Sequence, residues 1–168
     1  MTGVSLVYGR LRNHIPRPSG RFLNPLDDAQ RRRSIFLGDQ LAEDVFGDAE
    51  PVGETLLVDN VPYLVVGVMQ RKLQDSSYGG MDEDHAVIPI RTFWAQYGRD
   101  RLSNLVIKPE RPEEMEGALA QLREVLGAKY GFDPEDDRAM GVWTTVEGAI
   151  GFRNMILGVQ IFLGIIGA

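Results

Sequence analysis

Along this chain, short apolar runs alternate with polar, glycine-punctuated stretches, and each run suggests one element. Ser34–Leu37 (SIFL) is an apolar run of strand length, closed by Gly38. Leu41, Val45 and Phe46 then fall near helical spacing, and Gly47 is placed to end that helix. From Glu54 to Met69, TLLVD and PYLVVGVM are rich in β-branched and aromatic residues, with Asn60 between them; this predicts a hairpin. Residues 70–84 are polar and predict a surface loop. Ala86–Ile90 (AVIPI) reads as another strand, placed at a sheet edge because Pro89 lacks a ladder donor. Thr92 is then expected to cap a short helix bearing Phe93, Trp94 and Tyr97. Arg10–Pro25 holds three prolines and a glycine and reads as extended loop.

The second half predicts strand–helix–strand. Leu102–Lys108 is the first strand. Pro112 opens a helix with Glu113 and Glu114 in its first turn, where the helix dipole favours acids. Met115, Leu119, Leu122 and Leu126 make a core-facing stripe, and Gly131 is the stop. Gly141–Thr144 is the second strand. Strands and helices mixed in this order suggest an α+β or α/β domain.

The end of the chain follows a different pattern. Met155–Ala168 carries no charge, and only Gln160 is polar. The apolar positions Met155, Ile156, Leu157, Val159, Ile161, Phe162, Leu163, Ile165 and Ile166 cover all helical faces rather than one stripe. Thr144 and Glu147 have the spacing of a capping box, so the helix is expected to start near Thr145. The uncharged run is about 21 Å long as a helix, against a bilayer core of about 30 Å. It stops without a polar exit and reads as the start of a membrane helix cut short. At the other end, MTGVSLVY is too short and too uncharged for a signal peptide.

Composition narrows the function. The 168 residues have a net charge of -6 and 43% hydrophobic content. That argues against a fully disordered chain and a general nucleic-acid binder. Cysteine is absent, which excludes disulfides, thiolate metal sites and a cysteine nucleophile. Charge is balanced in residues 1–50, acidic in 51–154 and missing beyond.

Few residues offer chemistry. Asp82, Glu83, Asp84 and His85 form the densest polar cluster, with donor types suited to a divalent metal. Adjacent loop residues seldom all point inward, so a solvated loop is the default there. His14 lies alone in a Pro/Arg-rich stretch. Asp133, Glu135, Asp136 and Asp137 lack the spacing of a calcium loop. Arg31, Arg32 and Arg33 could meet lipid headgroups or an acidic partner, but such a run more often faces solvent. Leu37-Gly38-Asp39 is a weak anion cradle, since Asp39 repels an anion. No phosphate-binding loop, nucleophile elbow or zincin helix occurs.

Several blocks, taken in order, resemble one family. Thr2-Gly3-Val4-Ser5 precedes Gly20-Arg21-Phe22-Leu23. Ser34-Ile35-Phe36-Leu37-Gly38 leads to Ala42-Glu43-Asp44-Val45-Phe46-Gly47. Pro51-Val52-Gly53 precedes Tyr63-Leu64-Val65-Val66-Gly67-Val68, and Ala86-Val87-Ile88-Pro89-Ile90 with Thr92 closes the series. The chain resembles the periplasmic core domain of MacB-type ABC transporter permeases, followed by the start of the FtsX-like membrane domain. The resemblance implies a periplasmic core domain over residues 1–144. Residues 34–90 would form its inserted strand-rich part and 102–144 its porter-like part, with a transmembrane helix beginning at 145–168. It implies an inner-membrane permease piece lying mostly on the periplasmic side, with no catalytic residue and no cofactor of its own. Its implied partners are an ABC ATPase subunit or domain, a second permease copy, membrane lipid and a periplasmic adaptor. On the residues alone, two other readings stay open: a soluble binding or adaptor domain with a buried C-terminal helix, and a small hydrolase built on Asp82–His85.

Overall fold

The computed structural model describes residues 1–74, 80–98, 102–144, 155–156 and 159–160. The chain divides into two compact units, Met1–Val106 and Ile107–Ala168.

The first unit is built on a mixed five-stranded sheet. Its strands are β1 (Thr2–Val4), β2 (Ser34–Leu37), β3 (Thr55–Val58), β4 (Val61–Val68) and β5 (Ala86–Pro89), in the order β1-β5-β2-β4-β3. β1 runs parallel to β5 and β2 parallel to β4; the pairs β2–β5 and β3–β4 are antiparallel. The helices are α1 (Tyr8–Leu11), α2 (Pro25–Ala29), α3 (Asp39–Phe46) and α4 (Ile90–Tyr97).

Local sequence explains the central elements. β2 is buried at all four positions, as a continuous apolar run predicts for an inner strand. Gly38 turns the chain into α3, and a Cβ there would come within 2.2 Å of the Glu83 carbonyl oxygen. Gly47 ends α3 at φ 59°. The β3–β4 hairpin turns through Asp59 (φ 50°) and Asn60 (φ 62°). Two left-handed central residues suit a two-residue loop that follows the strand twist, and Asp and Asn tolerate them.

Both faces of the sheet are covered. On one, Ile35, Leu37, Val65 and Ile88 are at most 1% exposed, with Leu41 and Phe46 of α3 and Phe93 of α4 packed against them. On the other, Val4, Leu23, Phe36, Val66 and Met69 pack with Tyr8 and Phe22. Pro16 to Arg21 runs beside the far half of β4: Arg17 N donates to Val68 O (2.8 Å) and Arg21 N to Val66 O (2.9 Å). This approach needs glycine, because a Cβ on Gly67 would lie 2.3 Å from the Arg21 carbonyl oxygen.

Four expectations need correction. β5 lies inside the sheet, between β1 and β2. Pro89 is tolerated because β2 reaches only Ala86 and Val87, so Pro89 sits past that ladder at the strand's last position. Thr92 does not cap α4, which begins after Pro89; it is buried inside the helix, and its hydroxyl donates to Arg32 O at 2.8 Å. Residues 10–25 are not all loop, since α1 takes in residues 10–11 and α2 starts at Pro25. Residues 102–108 and 141–144 contain no strand.

In the second unit, α5 (Met115–Tyr130) follows a 3-10 turn over Pro112–Glu114 and stops at Gly131, which takes a left-handed φ of 76°. Met115, Leu119, Leu122 and Leu126 are half-buried along one face of α5. Gly127 is buried under Phe132 and Pro134, and Arg123 reaches Asp137 at 2.7 Å.

Candidate functional site

The polar cluster of residues 82–85 does not converge. A 3-10 turn over Asp82–Asp84 sends its members apart. Asp82 is buried, Glu83 half-buried and Asp84 exposed. His85 Nδ1 sits 2.7 Å from Met81 O, with its ring against Gly80. Among the described residues no group of three His, Cys, Asp or Glu could hold a metal ion.

Asp82 has other partners. Arg12 Nη2 reaches its Oδ1 at 2.7 Å, and Lys72 Nζ reaches its Oδ2 at 2.6 Å. His14 Nε2 lies 3.2 Å from Oδ2. The structure thus joins His14, which stood alone in the sequence, to the one member of the acidic cluster that points inward. The His14 ring stacks on Phe36 (centroids 6.1 Å) and meets Tyr8 edge-on at 5.4 Å. Burial pushes the Asp82 carboxyl up, but the contacts from His14, Arg12 and Lys72 outweigh it and hold the group well below the usual carboxylate range. A carboxylate gripped by two cations is a poor base and a poor metal ligand; its place is structural.

A second buried carboxylate escaped the sequence reading. Asp27 is fully buried. Arg21 reaches it with Nη1 on Oδ2 (2.5 Å) and Nη2 on Oδ1 (3.1 Å), and Ser34 Oγ donates to Oδ1 at 3.0 Å. Asn24 and Asp27 form a reciprocal capping box around Pro25 at the start of α2. The Asn-Pro-x-Asp pattern of residues 24–27 was the available signal. Burial raises the Asp27 carboxyl, and the hydrogen bonds from Arg21, Asn24 N and Ser34 override it and lower it.

The remaining candidates stay apart. Arg31, Arg32 and Arg33 are exposed. Asp133, Glu135, Asp136 and Asp137 belong to turns after α5, with Asp136 paired to Arg138 at 3.0 Å. Asp39 is buried at the first position of α3, with Oδ1 unpartnered. Met155, Ile156 and Val159 are helical and exposed (58%, 40% and 51%). Glu147, the partner expected for Thr144, lies outside the described residues, as do Leu157, Ile161, Phe162, Leu163, Ile165 and Ile166. No helix among the described residues is long and apolar enough to cross a membrane.

The described residues therefore define a mixed α/β domain whose buried charges fasten loops to a sheet. The chain belongs to the MacB-like periplasmic core domain family, whose model matches residues 1–125. It is similar to the macrolide export ATP-binding/permease protein MacB of Chlorobium phaeobacteroides, at 29% identity over 139 residues, or 82% of this chain and 20% of that protein. The chain spans about a fifth of the length of the curated relatives it matches. Its fold is similar to the extracellular domain of a noncanonic ABC-type transporter, YknZ, from Gram-positive bacteria. That likeness has a TM-score of 0.65 at 18% identity and covers 79% of this chain and 65% of that one. It is also similar to the periplasmic region of MacB from Actinobacillus actinomycetemcomitans, with a TM-score of 0.59 at 18% identity over 77% of this chain and 56% of that one.

Proposed function

We propose that this chain is the extracytoplasmic part of the permease of a MacB-type ABC transporter, which couples ATP hydrolysis in the cytoplasm to export or extraction of a substrate. The family match over residues 1–125 carries this reading. The ATPase is a separate subunit or domain, and two permease copies act together with membrane lipid around them and an adaptor outside.

In this reading residues 1–144 form the periplasmic core, with 34–90 as its inserted strand-rich part and 102–144 as its porter-like part. Residues 145–168 begin a transmembrane helix. The helix passes the displacement made by ATPase closure to the core, and the core moves the substrate. The ion pairs made by the buried carboxylates Asp27 and Asp82 suit such a part, because a domain that transmits displacement must not shear its loops away from its sheet.

The test is to purify the full-length gene product together with the ATPase encoded within it or beside it. The reading expects a membrane complex that hydrolyses ATP, and deletion of residues 1–144 should leave hydrolysis while abolishing export. A product that stays in the soluble fraction and recruits no ATPase supports the soluble binding domain instead.

A further inference from the structure

Asp82 joins two segments that are far apart in the chain. Arg12 follows α1, and Lys72 lies just beyond β4. All three side chains are largely buried, with exposures of 14%, 19% and 8% for Arg12, Lys72 and Asp82. Each cation takes its own oxygen of the carboxylate. Lys72 Nζ also donates to Arg12 O at 2.7 Å, and Asp82 N donates to Gln74 Oε1 at 2.9 Å. Four residues after Asp82, β5 begins and pairs with β1, Thr2 opposite Val87 and Val4 opposite Pro89. The N-terminal segment is thus fixed at two points to the same strand and its approach.

We propose that Asp82 is the pin of an electrostatic clasp that fastens the end of α1 and the exit of β4 to the approach of β5, and that the clasp opens as a unit, with the sheet intact, when the Asp82 charge is removed. The physical reason is charge balance. One carboxylate holds two cations together, with the His14 ring beside them. Without it, Arg12 and Lys72 face each other in a poorly solvated place, and their repulsion drives the two segments apart. The ion pairs of Asp82 include no residue of β2 or β4, and the His14 ring meets β2 by stacking on Phe36 rather than by a hydrogen bond, so the strand ladders do not depend on the pin. The clasp is a property of this chain and stands whether or not the transporter reading does.

Hydrogen exchange tests it. The Arg12, His14 and Gln70 amides report on the clasp, since they donate to Tyr8 O, Gly9 O and Ile15 O. The amides of β2 and of residues 63–68 report on the sheet. Asp82→Asn should speed exchange at the clasp amides about tenfold or more and leave the sheet amides unchanged. Adding Lys72→Met should restore most of the lost protection, because it removes the repulsion. Unchanged clasp amides, equal loss in the sheet, or no restoration in the double variant would each overturn the proposal. Should Asp82→Asn fail to fold, Lys72→Met alone decides. It keeps the one-to-one Arg12–Asp82 pair and should leave Arg12 and His14 protected, whereas fast exchange there contradicts the clasp.

Discussion

Replacing Asp27 by alanine removes the most connected carboxylate among the described residues of the first unit. It is fully buried, yet its cation Arg21 is 43% exposed, so Arg21 returns to water when the partner goes. The loss is therefore smaller than for a pair buried on both sides. The capping box accounts for about 1 kcal/mol. Hydrogen bonds to a charged acceptor contribute about 1.5–3 kcal/mol, and Ser34 Oγ, in a residue only 3% exposed, is left without its acceptor. These losses share one side chain and do not add fully; a total of about 3–4 kcal/mol follows. For a chain of this length that lowers Tm by about 10 °C. Urea and thermal unfolding followed by circular dichroism measure it. Arg21→Ala should also be costly, about 3 kcal/mol, because it leaves the fully buried Asp27 carboxylate without its counter-charge even though the Asn24 and Ser34 contacts remain. A loss under about 1 kcal/mol for either variant would refute the reasoning.

Other predictions follow from the same contacts. Both Asp27 and Asp82 are held below their ordinary values, so their contribution is complete above the usual carboxylate range and fades as pH falls through the lowered values. Acid titration of stability should show this loss below about pH 4, and Asp82→Asn should flatten the curve. Gly67→Ala should destabilise the chain by about 2 kcal/mol or more in chemical denaturation, since its Cβ meets Arg21 backbone rather than a movable side chain. Chelators should leave the melting temperature unchanged; a drop would revive the Asp82–His85 metal reading.

Much of the sheet was legible because its elements are local. The strand–glycine–helix of residues 34–47, the Asp59–Asn60 hairpin and α5 between Pro112 and Gly131 each carry their start and stop in the sequence. β1 did not: it has three residues, and its partner lies 85 positions away. Pro89 misled because a proline excludes a strand from the interior only where a neighbour needs its donor, and the β2–β5 ladder stops at Val87, short of it. The apolar run at 102–108 satisfied strand propensity, but pairing decides strands, and no ladder includes it. The Asp82 clasp was illegible for a related reason. Arg12, His14, Lys72 and Asp82 have no common spacing, and only the fold brings them together. The family blocks served better at Gly20-Arg21-Phe22-Leu23. There a Cβ on Gly20 would lie 2.5 Å from Gly67 Cα, Arg21 grips Asp27, Phe22 packs on Phe36, and Leu23 is buried.

The most direct test of the central claim is the side of the membrane on which this domain lies. These 168 residues hold no cysteine, so a cysteine introduced here is the single one in this domain, and the unsubstituted full-length product supplies the labelling background. Leu73 is 98% exposed and Ile88 is fully buried. In the full-length product in cells with a permeabilised outer envelope, a membrane-impermeant maleimide should label Leu73→Cys at once and Ile88→Cys only after denaturation. Labelling of Leu73→Cys that requires rupture of the cytoplasmic membrane would contradict the account.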